Sequence, residues 1–435
     1  MNSASKRFSV IQAILSGGAI ATTAAFSLFA PNLIEPAEAS LENSPKAVLD
    51  EAWQIVNRDY VDGGFNHTDW QTTRQTLLEK NYTSTEEAYE ALRKALEQLN
   101  DPYTRFLDPE QFKALTSQTA GEMSGVGMQL KQDELTKAIV VVTALENSPA
   151  MKAGLLPGDQ ILSIDGKSTI GMSVSAAAKM IRGDVGTDVM LEVTRPGEEF
   201  NVTLTRARIE LEAVRYDLKS EGNEKIGYIR LQEFSAHAGE QMQRAIENLD
   251  NQNVDGYVLD LRGNPGGLLR ISIDIARMFM DKGAIVSTVN RNGDTEELRA
   301  NRSALTDKPI VVLVDGDSAS ASEILAGALK DNDRAVIMGD KTFGKALVQS
   351  VHSLSDGSGL AVTIAHYYTP SGTDISKKGV TPDVELNLTD SQKRRLYRQP
   401  NAIATVSDPY YAQAINLLKN KLLLRPLVLR EEQKN

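Results

Sequence analysis

The sequence predicts an α/β core that is preceded by a helical segment and interrupted by a smaller, mainly β domain. Three stretches of different hydrophobic periodicity support this division. Residues 46–115 carry apolar side chains at helical spacing, residues 121–208 alternate short apolar runs with Gly and Pro turns, and residues 226–362 alternate strand-like and helix-like segments. With 435 residues, 41% of them hydrophobic, the chain is long enough for two or three domains with buried cores.

The first 39 residues are typical of a secretory signal peptide. Lys6 and Arg7 precede an uncharged stretch at 8–34, and a small-x-small cleavage pattern follows at 37–39. The uncharged stretch is also long enough to span a bilayer, so an uncleaved membrane anchor is the alternative. We expect residues 1–39 to be removed and the mature chain to be exported.

The composition excludes several classes of function. There is no cysteine, so disulfides, thiol nucleophiles and cysteine-ligated metal sites are ruled out. The net charge of −11 argues against nucleic acid as a partner, because nucleic-acid binding requires a basic surface. The four histidines show no metal-ligand spacing, and we therefore predict no metal site.

The helical segment, which we place at residues 40–117, predicts packing structure. Ser84 and Glu87 have the spacing of a capping box, and apolar residues recur at helical spacing over 88–99. Asp-Pro at 101–102 is expected to end this helix. No residue of the segment is expected to take part in chemistry.

Residues 118–208 predict a small β domain that binds peptides. Gly125, Val126 and Gly127 lie at the entry of a strand, where successive backbone N–H groups can face a carboxylate; a plain tight turn is the alternative. The stretch at 147–166, which includes Ser-Pro-Ala-Met-Lys-Ala-Gly-Leu-Leu-Pro-Gly-Asp, resembles the central motif of PDZ domains. This resemblance implies that the three residues bind the C-terminal carboxylate of a peptide.

A strand, a serine-rich turn and a helix follow one another at 311–330. Ser318, Ser320 and Ser322 lie in the turn beside the first amides of the helix, a position that suits a nucleophile or, alternatively, a helix cap. No histidine is near in sequence. Lys345 has small and apolar neighbours. These would desolvate its amine and lower its pKa, which favours the neutral form that can accept a proton. The pattern favours a Ser–Lys pair, with a surface lysine beside a turn as the alternative.

The segment at 318–349 resembles the carboxyl-terminal processing peptidases, also called tail-specific proteases. It contains, in order, Ser-Ala-Ser-Ala-Ser-Glu, Asp-Asn-x-Arg-Ala and Thr-Phe-Gly-Lys-Ala-Leu-Val-Gln. The resemblance implies an α/β protease core of the crotonase/ClpP type at 209–390 and a helical tail at 391–435 that packs on it. Further motifs of the family are found at 101–107, 260–267, 368–372 and 379–383.

The same resemblance implies three catalytic roles. Ser320 would be the nucleophile, and Lys345 would be the general base. Gln349 would orient the lysine, and we expect the two side chains to share one face of a strand.

The resemblance also implies supporting roles. In the matching glycine-rich turn at 260–267, we expect the backbone N–H of Gly263 to form the oxyanion hole with that of Ala321, with another glycine of the turn as the alternative. Arg182 would couple the PDZ domain to the active site, although an ordinary surface arginine is an alternative, and Asp331 would support the loops of the site. Two residues depart from the family pattern, since Ala346 and Asp317 stand where glycine is usual.

The predicted function is cleavage of proteins near their C-termini through an acyl-enzyme, without a cofactor. The layout is most similar to the cyanobacterial and chloroplast enzymes that mature the D1 protein of photosystem II, which implies a thylakoid lumen or periplasm. The expected partners are protein substrates with free, apolar C-termini, and these can include membrane-associated proteins. The sequence does not indicate an oligomeric state. The alternatives are a general periplasmic tail-specific protease and a non-catalytic PDZ scaffold.

Overall fold

The chain divides into two compact units, one inserted into the other. A computed structural model describes residues 44–432 except 387, 390, 393, 395 and 397–399, so the predicted signal peptide lies outside the described residues. The inserted unit comprises Thr116–Ala213 and Ser235–Ala238, and the remaining residues form the first unit. The predicted helical segment and C-terminal tail therefore belong to the same unit as the α/β core.

The helices correspond to the predicted helical stretches. None of them, within the part of the chain described, combines the length and apolarity needed to cross a bilayer. In chain order they are α1 (Pro45–Asp59), α2 (Trp70–Glu79), α3 (Thr85–Glu97), α4 (Pro109–Ala120), α5 (Pro149–Lys152), α6 (Val174–Ile181), α7 (Ala238–Asn251), α8 (Leu269–Phe279), α9 (Ala321–Asp331) and α10 (Pro409–Glu432). Short 3₁₀ turns occur at Phe65–His67 and Pro400–Ala402.

The strands form two sheets in the first unit and two in the inserted unit. In chain order they are β1 (Arg105–Leu107), β2 (Glu122–Gly125), β3 (Met128–Gln132), β4 (Ile139–Ala144), β5 (Gln160–Ile164), β6 (Lys167–Ser168), β7 (Asp188–Arg195), β8 (Glu198–Thr205), β9 (Ala207–Glu210), β10 (Val214–Glu221), β11 (Glu224–Leu231), β12 (Gly256–Asp260), β13 (Ala284–Asn290), β14 (Thr295–Arg299), β15 (Ile310–Val314), β16 (Val336–Gly339), β17 (Leu347–Ser353), β18 (Gly359–Tyr368) and β19 (Val384–Glu385).

The central sheet of the first unit has the strand order β10-β11-β12-β15-β16-β19 and is parallel from β11 onward. Every residue of β12 and β15 is buried, as the apolar run of β15 predicts for a sheet covered on both faces, and in β12 the burial includes the charged Asp260. One cover is α10, whose Tyr411 and Leu418 are fully buried in the same cluster as Val258 and Val311 of the sheet. Parallel strands aligned in this way bring their carboxyl ends to one edge, where the serine-rich turn begins.

A second, antiparallel sheet carries the helices of the N-terminal segment. Its order is β1-β18-β13-β14, with β17 also paired to β18. The expectation of helix throughout 46–115 is wrong at β1, because Arg105–Leu107 pairs with Ala361–Gly359 of β18. Asp-Pro at 101–102 predicts only the end of the preceding helix, and the extended conformation of these three residues depends on a partner strand more than 250 positions later.

The inserted unit has its own core. Its main sheet follows the order β3-β4-β5-β7-β8, with β6 paired to β5, while β2 and β9 form a separate ribbon. Ser148 caps α5, accepting a hydrogen bond from the Met151 N–H at 3.2 Å, and Pro149 is the first helical residue, as the sequence predicts. Ile139, Ile161 and Leu191 are fully buried between the sheet and its helices.

Candidate active site

Ser320 is the last residue before α9 and has an unusual backbone conformation. Its φ and ψ are 55° and −111°, a region that is costly for any residue with a side chain. Strand β15 ends six residues earlier, and α9 behind Ser320 is buried from Ala321 to Leu329. A strained strand–turn–helix step of this kind exposes a hydroxyl beside free helix amides, which is the arrangement that nucleophilic serines use.

The two neighbouring serines attach this turn to the glycine-rich loop that follows β12. The Ser318 hydroxyl donates to the Leu261 carbonyl at 2.9 Å, and the Ser322 hydroxyl donates to the Asn264 carbonyl at 3.0 Å. Both serines are fully buried. Their hydroxyls are therefore structural, which leaves Ser320 as the candidate nucleophile of the three.

Glu323 connects the serine turn to the lysine segment. Its carboxylate is fully buried and accepts hydrogen bonds from the main-chain N–H groups of Ser320 and Lys345, at 2.9 Å each. It also accepts from the Gly344 N–H at 2.7 Å and from the Thr342 hydroxyl at 2.6 Å. With four donors around one carboxylate, the backbones of Ser320 and Lys345 are held in fixed relation.

Tyr367 of β18 forms a second connection between the same two segments. Its hydroxyl lies 3.1 Å from the Ser320 carbonyl oxygen and also hydrogen-bonds the Lys345 carbonyl. Burial, with the nearby Glu323 charge, raises the pKa of Tyr367 well above its ordinary value, so the phenol remains a donor. The backbones of Ser320 and Lys345 are thus joined both by Glu323 and by Tyr367.

The Lys345 side chain lies in a partly buried environment. Burial lowers its pKa, and the positive charge of Arg105 lowers it further, while the carboxylates of Asp101 and Glu323 act in the opposite direction. Its Nζ lies 4.5 Å from the centroid of the Tyr103 ring. The net direction is the one that a general base requires, because only the neutral amine can accept a proton.

Gln349 does not share a strand face with Lys345 in the way the sequence suggested. Lys345 precedes β17, and the pairing of β17 with β18 shifts register between Val348 and Gln349, so the simple alternation is interrupted. The Gln349 amide donates to the Thr363 hydroxyl at 3.5 Å, and no hydrogen bond among the described residues joins it to Lys345. The assumption of a regular strand was wrong because a bulge cannot be read from residue types.

Gly263 is not placed to serve an oxyanion. Its N–H already donates to the Asp315 carboxylate at 2.9 Å. Gly266 is the glycine that lies against the nucleophile: a Cβ there would be 2.9 Å from Ser320 Cβ and 3.0 Å from the Ala321 nitrogen. The Gly266 N–H donates to the Asn264 side chain at 2.9 Å, whereas no hydrogen bond among the described residues uses the N–H of Gly267 or of Ala321.

A buried ion network lies beneath the glycine-rich loop. The Arg262 guanidinium contacts Asp260 at 2.6 Å and Asp408 at 2.8 Å, and both carboxylates are fully buried. Burial alone would raise the pKa of Asp260, but the charges and hydrogen bonds of Arg262 hold it below its ordinary value. The network fixes the end of β12 to the residue that precedes α10.

In the inserted unit, the loop of Gly125, Val126 and Gly127 is held from behind. Ser148 donates from its hydroxyl to the Gly127 carbonyl at 3.0 Å, and Val126 is buried. The N–H groups of Val126 and Gly127 form no hydrogen bond among the described residues. Arg182 follows α6, and its Cγ would lie 4.0 Å from a Cβ at Gly125.

Three further predicted positions have clear surroundings. The Asp331 carboxylate accepts a hydrogen bond from the Ser371 N–H at 3.0 Å and so holds the loop after β18. Ala346 is buried, and neither Ala346 nor Asp317 has a positive φ. Alanine and aspartate in place of glycine therefore cause no backbone strain at these two positions.

Four residues that contact the site were assigned no role from the sequence: Tyr103, Gly266, Glu323 and Tyr367. Glu323 could have been found, because it stands three residues after Ser320, the spacing of a capping box. Tyr367 carries no such signal, and Tyr103 lies in the family motif at 101–107 without a pattern that would indicate its role. They reach the site only through the pairing of β18 with its neighbours.

Comparison with known proteins gives consistent similarities. Residues 225–386 match peptidase family S41, and residues 140–195 match a PDZ domain. A carboxyl-terminal-processing protease of Synechocystis sp. is 45% identical over 403 residues, which cover 91% of this chain and 92% of the relative. The chloroplastic carboxyl-terminal-processing peptidase 2 of Arabidopsis thaliana is 43% identical, over 77% of this chain and 67% of the relative.

A solved structure is also similar. The photosystem II D1 C-terminal processing protease superposes with a TM-score of 0.53 at 39% sequence identity, covering 79% of this chain and 94% of that one.

Proposed function

Because this chain belongs to the carboxyl-terminal-processing proteases of peptidase family S41, we propose that it cleaves protein substrates with Ser320 as nucleophile and Lys345 as general base. The observation that carries this proposal is the shared carboxylate of Glu323, which holds both main chains at 2.9 Å. The bond to Ser320 alone is that of a capping box, but a surface lysine beside a turn would have no reason to share the same buried carboxylate.

The reaction we propose is acyl transfer. The neutral Lys345 amine takes the proton from the Ser320 hydroxyl as its oxygen attacks the scissile carbonyl carbon. The resulting ammonium gives that proton to the leaving amine, the C–N bond breaks, and an ester to Ser320 remains. Lys345 then deprotonates a water that attacks the ester, and the ammonium so formed returns the proton to the Ser320 oxygen as the ester C–O bond breaks, which releases the new C-terminus and restores the serine.

The oxyanion of each tetrahedral intermediate would be held by backbone amides. We assign one donor to Ala321, the first residue of α9, and the second to the Gly266–Gly267 turn, where the Gly267 N–H is unoccupied. This replaces the initial expectation of Gly263. Gln349 would act indirectly by hydrogen-bonding Thr363 and fixing the strand that follows the lysine.

The inserted PDZ domain would select substrates by their free C-terminus. The unoccupied N–H groups of Val126 and Gly127, together with Gly125, would accept the terminal carboxylate, and β3 would pair with the peptide. Leu130 of β3 and Ile181 of α6 pack in the apolar core beside the strand that would pair with the peptide, so we propose a preference for apolar tails. Arg182, beside Gly125, would sense whether this loop is occupied, and Asp331 would support the core.

The similarity to a D1 processing protease suggests a substrate. We propose that this chain removes the C-terminal extension of the D1 precursor. We place this reaction in a thylakoid lumen or periplasm, to which the chain would be exported with removal of residues 1–39. Incubation of the purified mature chain with a peptide of the D1 precursor C-terminus, followed by mass spectrometry, tests the proposed cleavage. Cleavage of unrelated apolar tails at an equal rate would instead favour a general periplasmic tail-specific protease.

The dyad is tested with three variants. We expect Ser320→Ala and Lys345→Ala each to lose hydrolysis of a C-terminal peptide by at least about 10³-fold. Lys341→Ala, which changes an exposed lysine four positions earlier, should remain active. Hydrolysis retained by both site variants would reject the dyad, and a wild-type chain that binds tails but never cuts them would indicate a scaffold.

A further inference from the structure

The amine of Lys345 lies over an aromatic ring from the N-terminal segment. Its Nζ is 4.5 Å from the centroid of Tyr103, within the distance at which a ring face attracts a cation. Tyr103 is partly buried and comes from the stretch that the sequence predicted to be free of chemistry. No other ring among the described residues lies under this amine, so Tyr103 is the aromatic contact of the proposed base.

The ring is held in place by its own loop. The Asp101 carboxylate accepts hydrogen bonds from the Tyr103 N–H at 3.0 Å and from the Thr104 hydroxyl at 2.7 Å. Thr104, which is buried, in turn accepts from the Thr363 N–H of β18 at 3.0 Å. Tyr103 is therefore fixed to the sheet that also carries β17, the strand that begins just after the lysine.

Gln349 belongs to the same set of contacts. Its amide donates to the Thr363 hydroxyl, while the Thr363 N–H donates to Thr104. A continuous chain of hydrogen bonds thus runs from Gln349 to the loop of Tyr103. These contacts connect Gln349 indirectly to the loop of Tyr103.

The ring face interacts with only one protonation state of the amine. It attracts the ammonium through its quadrupole and has no comparable attraction for the neutral amine. During acyl transfer the ammonium forms when the serine loses its proton, in a partly buried site. A ring in this position stabilises the charge that develops on the base and limits how far burial lowers the amine's proton affinity.

We propose that Tyr103 is a positioning residue for Lys345, whose ring face holds the amine and stabilises its protonated form during each proton transfer. This inference rests on the proposed role of Lys345 as general base. It concerns the ring and not the phenol hydroxyl, and it assigns a function in the reaction to the N-terminal segment.

The test is the pH dependence of kcat/KM for three variants. Tyr103→Leu keeps an apolar side chain but removes the ring, so the acid limb should move to lower pH by about 0.4 to 1.5 pH units, and kcat should fall about 3- to 30-fold with KM within about twofold. Tyr103→Phe keeps the ring and should match wild type in both respects. Tyr82→Leu, which removes the ring under Lys80 instead, is the matched control and should leave the profile unchanged.

The outcomes separate the inference from the dyad proposal. If the acid limb of Tyr103→Leu stays at the wild-type pH while Lys345→Ala is inactive, the role of the ring is rejected. The role of Lys345 as general base is then retained. An equal loss in Tyr103→Phe would also overturn the role of the ring, because the hydroxyl would then be responsible. Circular dichroism checks that Tyr103→Leu is folded. If it is not, Tyr103→Met, which also lacks a ring, takes its place in the same measurement.

Discussion

Ser320 and Lys345 share one acceptor, since a single oxygen of the Glu323 carboxylate lies 2.9 Å from the main-chain nitrogen of each. Replacing Glu323 with Gln preserves shape but turns an NH₂ group toward main-chain donors. We expect Glu323→Gln to lower kcat/KM by about 100-fold or more and the free energy of unfolding by about 3 kcal/mol, because buried charge-assisted bonds are lost. Peptide hydrolysis and urea unfolding measure the two effects.

A matched control is Glu385→Gln, which changes an exposed carboxylate and should leave both quantities unchanged. Full activity in Glu323→Gln would show that the shared acceptor does not align the two segments.

The glycine-rich loop gives a second prediction, which compares two glycines with positive φ. In Gly266→Ala the new Cβ would lie 2.7 Å from the Ala319 carbonyl oxygen and 2.9 Å from Ser320 Cβ, whereas Gly263→Ala meets nothing within 4 Å. We expect Gly266→Ala to cost about 2 to 5 kcal/mol and most of the activity. Gly263→Ala should cost about 1 kcal/mol and change the rate only a few-fold.

Thermal unfolding and kcat/KM of the two variants decide the comparison. If Gly263→Ala were the more damaging for catalysis, the oxyanion donor would have to be sought at Gly263 again.

The Arg262 network yields a third prediction, on stability alone. Arg262→Met removes the guanidinium that faces two buried carboxylates, and we expect it to lower the free energy of unfolding by about 3 to 5 kcal/mol. Asp408→Asn leaves Arg262 paired with Asp260 and should cost less, about 1 to 3 kcal/mol. Urea unfolding at neutral pH measures both; the reverse ranking would contradict the assignment of Arg262 as the centre of the network.

Much of this architecture could be predicted, because it follows from short local patterns of residue types. The fully buried β15 follows from its continuous apolar run, and the cap of α5 follows from Ser148-Pro149. The family resemblance drawn from residues 318–349 is confirmed by relatives of 43 to 45% identity. Each of these features is set by residues close together in the chain. The same holds for the turn that positions Ser320.

What could not be predicted depends on contacts between distant segments. β1 is extended only because it pairs with β18, and Tyr103 reaches Lys345 only through that pairing. The bulge before Gln349 and the bond that occupies the Gly263 N–H are likewise products of the tertiary structure. Glycine spacing predicts a loop that can donate amides, but not which amide remains free.

Lys345 itself gives the last prediction, because a base with a lowered pKa is costly to the fold. Since its folded pKa lies below the unfolded value of 10.5, its contribution to stability is complete above pH 10.5 and is lost as the pH falls to the folded pKa. At pH 7, below the unfolded pKa, the buried lysine therefore destabilises the protein. Lys345→Met should raise the free energy of unfolding at pH 7 by about 0.5 to 2 kcal/mol while abolishing hydrolysis, and this gain should shrink when urea unfolding is repeated near pH 10. Lys341→Met, at an exposed position, should show no such pH-dependent gain.

The contradicting outcome is a stability difference between Lys345→Met and wild type that is the same at both pH values. It would mean that burial does not disfavour the charged amine, and the pH dependence proposed for catalysis would lose its physical basis.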